Sequence, residues 1–204
     1  GIILFSIFIY FGLTNMPWLP LILIYGLIGF KIGGLKLSLT IVASFLFITF
    51  TGVLPQALLS IYLCGIAVII SFILGSSLGI WAAHNDKVSA FMRPINDTMQ
   101  TMPSFVILIP FVMFFGIGEF TALLAIIAYA FVPAMRYTEH GLRNLPETVI
   151  EAARMIGCSQ TQLLWKVKIP LAMPVIMLGL NQTIMFGLAM LVIAALVGTT
   201  GLGQ

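Results

Sequence analysis

The chain has 204 residues, of which 61% are hydrophobic and only 7% are Asp, Glu, Lys or Arg, with a formal net charge of +3. A soluble domain carries about 25% charged residues, so a soluble globular protein is excluded. The small positive excess belongs to membrane topology rather than to nucleic-acid binding.

Leu37 to Asn85 and Ile169 to Gln204 contain no Asp, Glu, Lys or Arg. Such runs exceed the roughly 20 residues that a membrane-crossing helix needs. They are continuous rather than alternating, which excludes a β-barrel and predicts an all-α integral membrane protein, a polytopic helical bundle.

Taken in chain order, residues 1 to 13 are apolar but short, either the tail of a span or an interfacial segment. Thr14-Asn15-Met16-Pro17 is a break, and Trp18 is placed as an interface anchor. An apolar run from Trp18 to Phe30 ends at Lys31, with Gly33, Gly34 and Lys36 in a tight loop. Leu37 to Leu54 reads as a span closed by Pro55. Ala57 to Ala83 is the next, and its Gly75-Ser76-Ser77 and Gly79 suit close helix packing. His84 to Gln100 reads as a polar loop. Met102 to Ile117 and Thr121 to Met135 form a pair of spans near the lower length limit, with a re-entrant hairpin as the rival reading. Ala172 to Val197 is the last span. Residue 1 is Gly rather than Met and the chain stops after Gly201-Leu202-Gly203-Gln204, which reads as a fragment or a trimmed numbering. No secretory signal is recognisable.

The segment from Arg136 to Lys168 holds five of the nine Lys/Arg and three of the six Asp/Glu. Asn144 is expected to cap a helix that starts at Pro146 and Glu147, where proline and negative charge are favoured. That helix runs through Val149, Ile150, Ala152, Ala153 and Ile156 and stops at Gly157. Ser159 and Gln162 have capping-box spacing and open a second short helix carrying Leu163, Leu164 and Trp165, which Pro170 is expected to break. With Lys31 and Lys36 placed inside, alternation puts all nine Lys/Arg inside and leaves Glu119 as the only outside charge. The polar segment is then cytoplasmic.

Several chemistries find no support. There is no Gly-x-x-x-x-Gly-Lys-Ser/Thr sequence, so this chain is not an ATPase. The predicted spans carry no ionisable residue near mid-membrane, which argues against a proton-driven carrier, though not against a sodium-coupled one. Cys64 and Cys158 are separated by context, and His84 and His140 stand alone, so neither a disulfide framework nor a metal site is read. Asn181-Gln182-Thr183 is the polar patch within a span. It lines either a translocation path or an interhelical contact, since amides facing lipid are costly.

Glu151-Ala152-Ala153, then Gly157, then Val167-Lys168-Ile169-Pro170 resemble, in type and spacing, the cytoplasmic coupling loop of ATP-binding-cassette (ABC) importer permeases. The rival is an ordinary helix-turn-helix between spans. The resemblance continues through the run Asp97 to Val106, Phe115-Gly116-Ile117-Gly118, Arg136-Tyr137-Thr138, Asn181-Gln182-Thr183 and Gly201-Leu202-Gly203. It points to the glycine betaine/proline betaine (quaternary amine) subfamily, over residues 56 to 204 and more loosely 15 to 55. The resemblance implies a type I importer permease core over 56–204, with a coupling loop at 136–170, preceded by additional membrane segments over 1–55. Four of five core spans are expected here (57 to 83, 102 to 117, 120 to 135 and 172 to 197), the final one being absent.

The resemblance further implies a second permease copy, an ABC ATPase that holds ATP and Mg, an external substrate-binding protein with an aromatic cage, and a prokaryotic inner-membrane location. This chain itself would hold no cofactor. Glu151, Ala152, Ala153, Gly157, Val167, Ile169 and Pro170 would form the ATPase-coupling element. The rival classes are an ion-coupled carrier or channel, and a membrane scaffold binding a cytoplasmic partner through the same loop.

Overall fold

The computed structural model describes residues 18–198. The readings placed on 1 to 17 and on Gly201-Leu202-Gly203 lie outside them. The described residues fold into helices with no strand. By length and composition four helical segments could cross a membrane, one of them the hairpin described next, and a bent pair could supply a fifth crossing.

The first, α1 (Trp18–Phe50), turns back on itself at Gly34, whose φ of 72° is left-handed and suits a residue without Cβ. Ser38 Oγ donates to the Gly26 carbonyl at 2.9 Å, and the rings of Tyr25 and Phe45 stack at 5.1 Å. Residues so far apart in sequence cannot meet on a straight helix rising about 1.5 Å per residue. α1 is therefore a hairpin with Lys31 and Lys36 flanking its tip, as the tight-loop reading expects. The second arm stops at Phe50, short of the expected Leu54. Pro55 falls in the first turn of α2 (Leu54–His84), where its missing N–H is not needed.

The centre of the bundle is α2 packed on α5 (Glu119–Arg143), with α7 (Gln160–Leu196) against both. In lipid there is no hydrophobic drive to pair helices, so close contact relies on small residues and dispersion. Ala67, Ala122, Ala125, Ala130, Ala134 and Ala194 are accordingly fully buried. A Cβ at Gly75 would lie 2.5 Å from the Phe131 carbonyl oxygen, and one at Gly79 would lie 2.6 Å from that of Met135. At those two positions α2 rests directly on the α5 backbone. Larger residues fill the space beside them: Leu63, Val68, Leu108, Ile126, Met190 and Leu191 form one buried cluster.

Several expectations need correction. The polar stretch after His84 is not a loop but a helix, α3 (Asp86–Thr101), opened by Asn85, whose Oδ1 accepts from the Lys87 N–H at 3.0 Å. Pro94 sits inside it without ending it. The expected span from Met102 to Ile117 is only the 12-residue α4 (Ser104–Phe115), bent 99° from α3. Twelve residues rise about 18 Å, short of a hydrocarbon core of about 30 Å. The span expected to end at Met135 continues to Arg143 as the last turns of α5. Asn144 does not cap the helix after it but closes α5: its backbone N–H and its side-chain amide both donate to the His140 carbonyl, at 3.1 and 2.9 Å. The following helix, α6 (Glu147–Met155), begins after Pro146 with no side-chain cap.

Pro170 does not break its helix. Leu163–Lys168 forms a π-helical turn, in which the Ile169 N–H reaches the Leu164 carbonyl, and the chain continues through Pro170 to Leu196. Proline has no N–H and its ring clashes with the carbonyl four residues back. Widening the turn to the i−5 register just before it relieves that conflict.

Candidate functional site: a surface loop and an internal cleft

α6 and the start of α7 form an angled pair joined at Gly157. Gly157 has φ 85°. Its N–H bonds to the Arg154 carbonyl at 2.9 Å, and the Cys158 N–H bonds to that of Ala153 at 3.3 Å. These two bonds make a Schellman closure, which needs a residue tolerant of the left-handed region. Ser159 then opens α7 with a reciprocal capping box: its Oγ accepts from the Gln162 N–H at 3.3 Å, and its own N–H donates to Gln162 Oε1 at 3.0 Å.

The result is a short, stiff elbow. On it Glu151, Ala152, Gly157 and Pro170 are exposed, Val167 and Ile169 are half-buried, and Ala153 is buried. The residues expected to act together thus share one elbow but not one face. The elbow also displays large apolar side chains: Met155 is 90% exposed, Ile156 84% and Trp165 62%. They sit on a segment bearing Glu147, Glu151, Arg154, Lys166 and Lys168.

α5 is linked to α6 by Asn144, Leu145 and Pro146, and its end packs on the start of α7, where Leu142 meets Ala172 and Ile169. Its last turns carry a stripe of charge. Arg143 pairs with Asp86 at 2.8 Å and with Glu139 at 3.1 Å, and it donates to the Ala82 carbonyl at 2.7 Å. The ends of α2, α3 and α5 therefore lie together. Arg136 bonds to Asp97 and to Gln100.

Next to Arg136 lies a cleft of about 470 Å³ lined by Gln100, Pro133, Arg136, Tyr137, His140, Gln182 and Phe186. The Asn181-Gln182-Thr183 triplet does not act as a unit there, because consecutive residues on a helix point about 100° apart. Gln182 faces the cleft. Thr183 is fully buried and donates to the Gly179 carbonyl at 2.8 Å, while Asn181 is exposed on the outer surface of α7. Phe186, expected from the sequence to serve packing, also stands in this wall, as do Tyr137 and His140, for which no site role was expected. Their signal was the one-face spacing of 133, 136, 137 and 140 on an α5 longer than its apolar run suggests.

Residues 75–204 match the family model for the binding-protein-dependent transport system inner membrane component. The chain is 40% identical over 192 residues to the glycine betaine/proline betaine transport system permease protein ProW of Escherichia coli (strain K12), covering 94% of this chain and 54% of that one. It is 38% identical over 193 residues to the glycine betaine transport system permease protein OpuAB of Bacillus subtilis (strain 168), covering 95% of this chain and 68% of that one. It is 44% identical over 184 residues to the trimethylamine N-oxide transport system permease protein TmoV of Pelagibacter ubique (strain HTCC1062), covering 90% of this chain and 26% of that one. The chain thus spans about half the length of ProW and a quarter of that of TmoV.

The fold is similar to a chain of the MetNI methionine ABC transporter in an inward-facing conformation, with a TM-score of 0.65 and 22% identity over 72% of this chain and 74% of that one. The family resemblance carried by the sequence motifs is borne out, as is the all-helical membrane fold. The chain belongs to the family of binding-protein-dependent transport system inner membrane components.

Proposed function

We propose that this chain is the membrane-spanning permease subunit of an ATP-driven importer for glycine betaine, proline betaine or a related quaternary amine. The observation that carries this reading is the elbow. Three large apolar side chains, Met155, Ile156 and Trp165, stand exposed on a charged, Schellman-closed segment of a membrane protein whose family works with partner proteins. Exposed apolar surface rimmed by polar residues suits a protein partner. The elbow is the cytoplasmic coupling loop, and the partner is an ABC ATPase that binds ATP and Mg. Glu151, Ala152, Ala153, Gly157, Val167, Ile169 and Pro170 shape the docking element. The membrane part, over residues 56–204, works as two copies with an external binding protein, and residues 1–55 add membrane segments to it.

The translocation path runs through the cleft between α5 and α7, with Gln182 in its wall. The cleft has the aromatic residues Tyr137 and Phe186 in its wall together with Gln100 and Gln182, a set of residue types that suits a small zwitterion bearing a quaternary ammonium. When ATP closes the ATPase dimer, the coupling elbows move with it and the cleft changes the side to which it opens.

Uptake of labelled glycine betaine into vesicles containing the full-length permease, its ATPase and its binding protein tests this. ATP-dependent uptake is expected. ATP turnover without betaine uptake would keep the class and reject the substrate, and uptake indifferent to ATP would reject the importer.

A further inference from the structure

Among the described residues, the side-chain bonds that α3 makes to other helices run to one helix, α5. Asp86 pairs with Arg143. Ser89, fully buried, donates to Glu139 Oε1 at 2.5 Å. The Asn96 amide donates to Met135 Sδ at 3.4 Å. Asp97 and Gln100 hold Arg136. The register makes this a two-ended grip. Arg136 and Arg143 are seven residues apart on α5, so their directions differ by about 20° and their positions by about 10 Å. Asp86 and Asp97, eleven apart on α3, also differ by about 20° in direction and are separated by about 16 Å. Two cations along one face of α5 thus hold two anions along one face of an antiparallel α3. Glu139, between the cations, holds Ser89 and braces Arg143.

The two ends of this grip sit at different places in the molecule. At one end, Arg143 is the last residue of α5 and adjoins the three-residue link into α6. At the other, Gln100 is in the last turn of α3, beside the 99° bend into α4, and stands in the wall of the cleft. Without the grip, α3 would be joined to the rest through its chain ends and apolar contacts, and a displacement of α5 would reach the α3–α4 bend only through the packing of α4, by way of Leu108, on α5. We propose that Arg136 and Arg143 are positioning residues for transport: they clamp α3 to α5, so that the coupling elbow and the Gln100 wall of the cleft move as one body. This rests on the importer reading above.

The test is a charge-swap series in vesicles holding the full-length permease, its ATPase and its binding protein. ATP hydrolysed and labelled glycine betaine taken up are measured together. Asp97→Arg alone and Arg136→Asp alone are expected to raise the ATP used per betaine carried at least fivefold. The double variant Asp97→Arg/Arg136→Asp is expected to return that ratio to within about twofold of wild type, because the pair is restored with its polarity reversed. Asp86→Ala, a change at an exposed side chain that the fold tolerates, is expected to raise the ratio by a smaller factor. Unchanged ratios in the single variants would overturn the clamp. So would a double variant that elutes as an intact complex yet couples no better than the singles. Wild-type vesicles without ATP-driven uptake would overturn the importer reading itself, and the clamp with it.

Discussion

Replacing Gly157 with alanine separates the backbone geometry of the elbow from its side chains. A Cβ there meets no atom within 4 Å, so no clash is introduced. The cost is conformational: at φ 85° an L-residue is disfavoured by about 1–2 kcal/mol relative to glycine. If the Schellman-closed elbow is the shape that docks, that penalty must be met each time the ATPase binds. The apparent affinity should then fall by a factor of about 5 to 30. The assay is titration of purified ATPase onto the permease in nanodiscs, with uptake measured in parallel and substrate affinity of the external binding protein unchanged. Gly52 supplies the control. Its φ is 78°, its Cβ direction is equally empty, and it lies in the α1–α2 turn, at the end of α2 away from the elbow. Gly52→Ala should carry similar strain and leave ATPase affinity alone. Equal effects of the two substitutions, or no effect of Gly157→Ala, would refute the claim that this backbone geometry is what docks.

Gly79→Leu should lower the midpoint of thermal unfolding in detergent, by the equivalent of about 1–3 kcal/mol of overpacking, because even its Cβ meets the Met135 carbonyl at 2.6 Å. Met155→Ser combined with Trp165→Ala should weaken ATPase binding at least tenfold while the permease still folds, since burying one large apolar side chain is worth about 1.5–3 kcal/mol. Gln182→Leu should reduce betaine uptake about fivefold, the worth of about one hydrogen bond, and Asn181→Leu, pointing away from the cleft, should have a smaller effect. Thr183→Val should be close to neutral in both uptake and melting, because its hydroxyl only back-bonds to Gly179 within its own helix.

The apolar helices were legible because membrane insertion writes itself as uninterrupted runs: α2 lies within a few residues of its expected limits. The elbow was legible because its stops are local chemistry, a glycine at a left-handed position and a Ser–Gln capping box, both decided within a few residues. Misreadings occur where a distant partner decides. Asp86, Asp97 and Arg93 make α3 look like a loop, yet its two aspartates are paired with Arg143 and Arg136, far along the chain. The same bonds let α5 run past its apolar stretch to Arg143. Asn144 can cap either neighbour by residue type, and its side chain turns back onto the His140 carbonyl of α5. Pro170 was read as a stop because an α-register was assumed, and a π-turn removes the conflict without ending the helix. The cleft was invisible because it is assembled from α3, α5 and α7, and periodicity within one helix does not reveal which other helices line it.

The direct seating of α2 on the α5 backbone limits how the bundle can change shape. With Gly75 and Gly79 one turn apart and each against a carbonyl, the two helices are geared like a rack. Sliding one along the other would carry these carbonyls off the two glycines and toward residues that bear a Cβ, and a full notch would be about 5.4 Å. Gradual shear is thereby disfavoured at the centre of the molecule, which leaves joints such as the 99° bend between α3 and α4 and the Gly116–Gly118 junction that follows as the easier places to move.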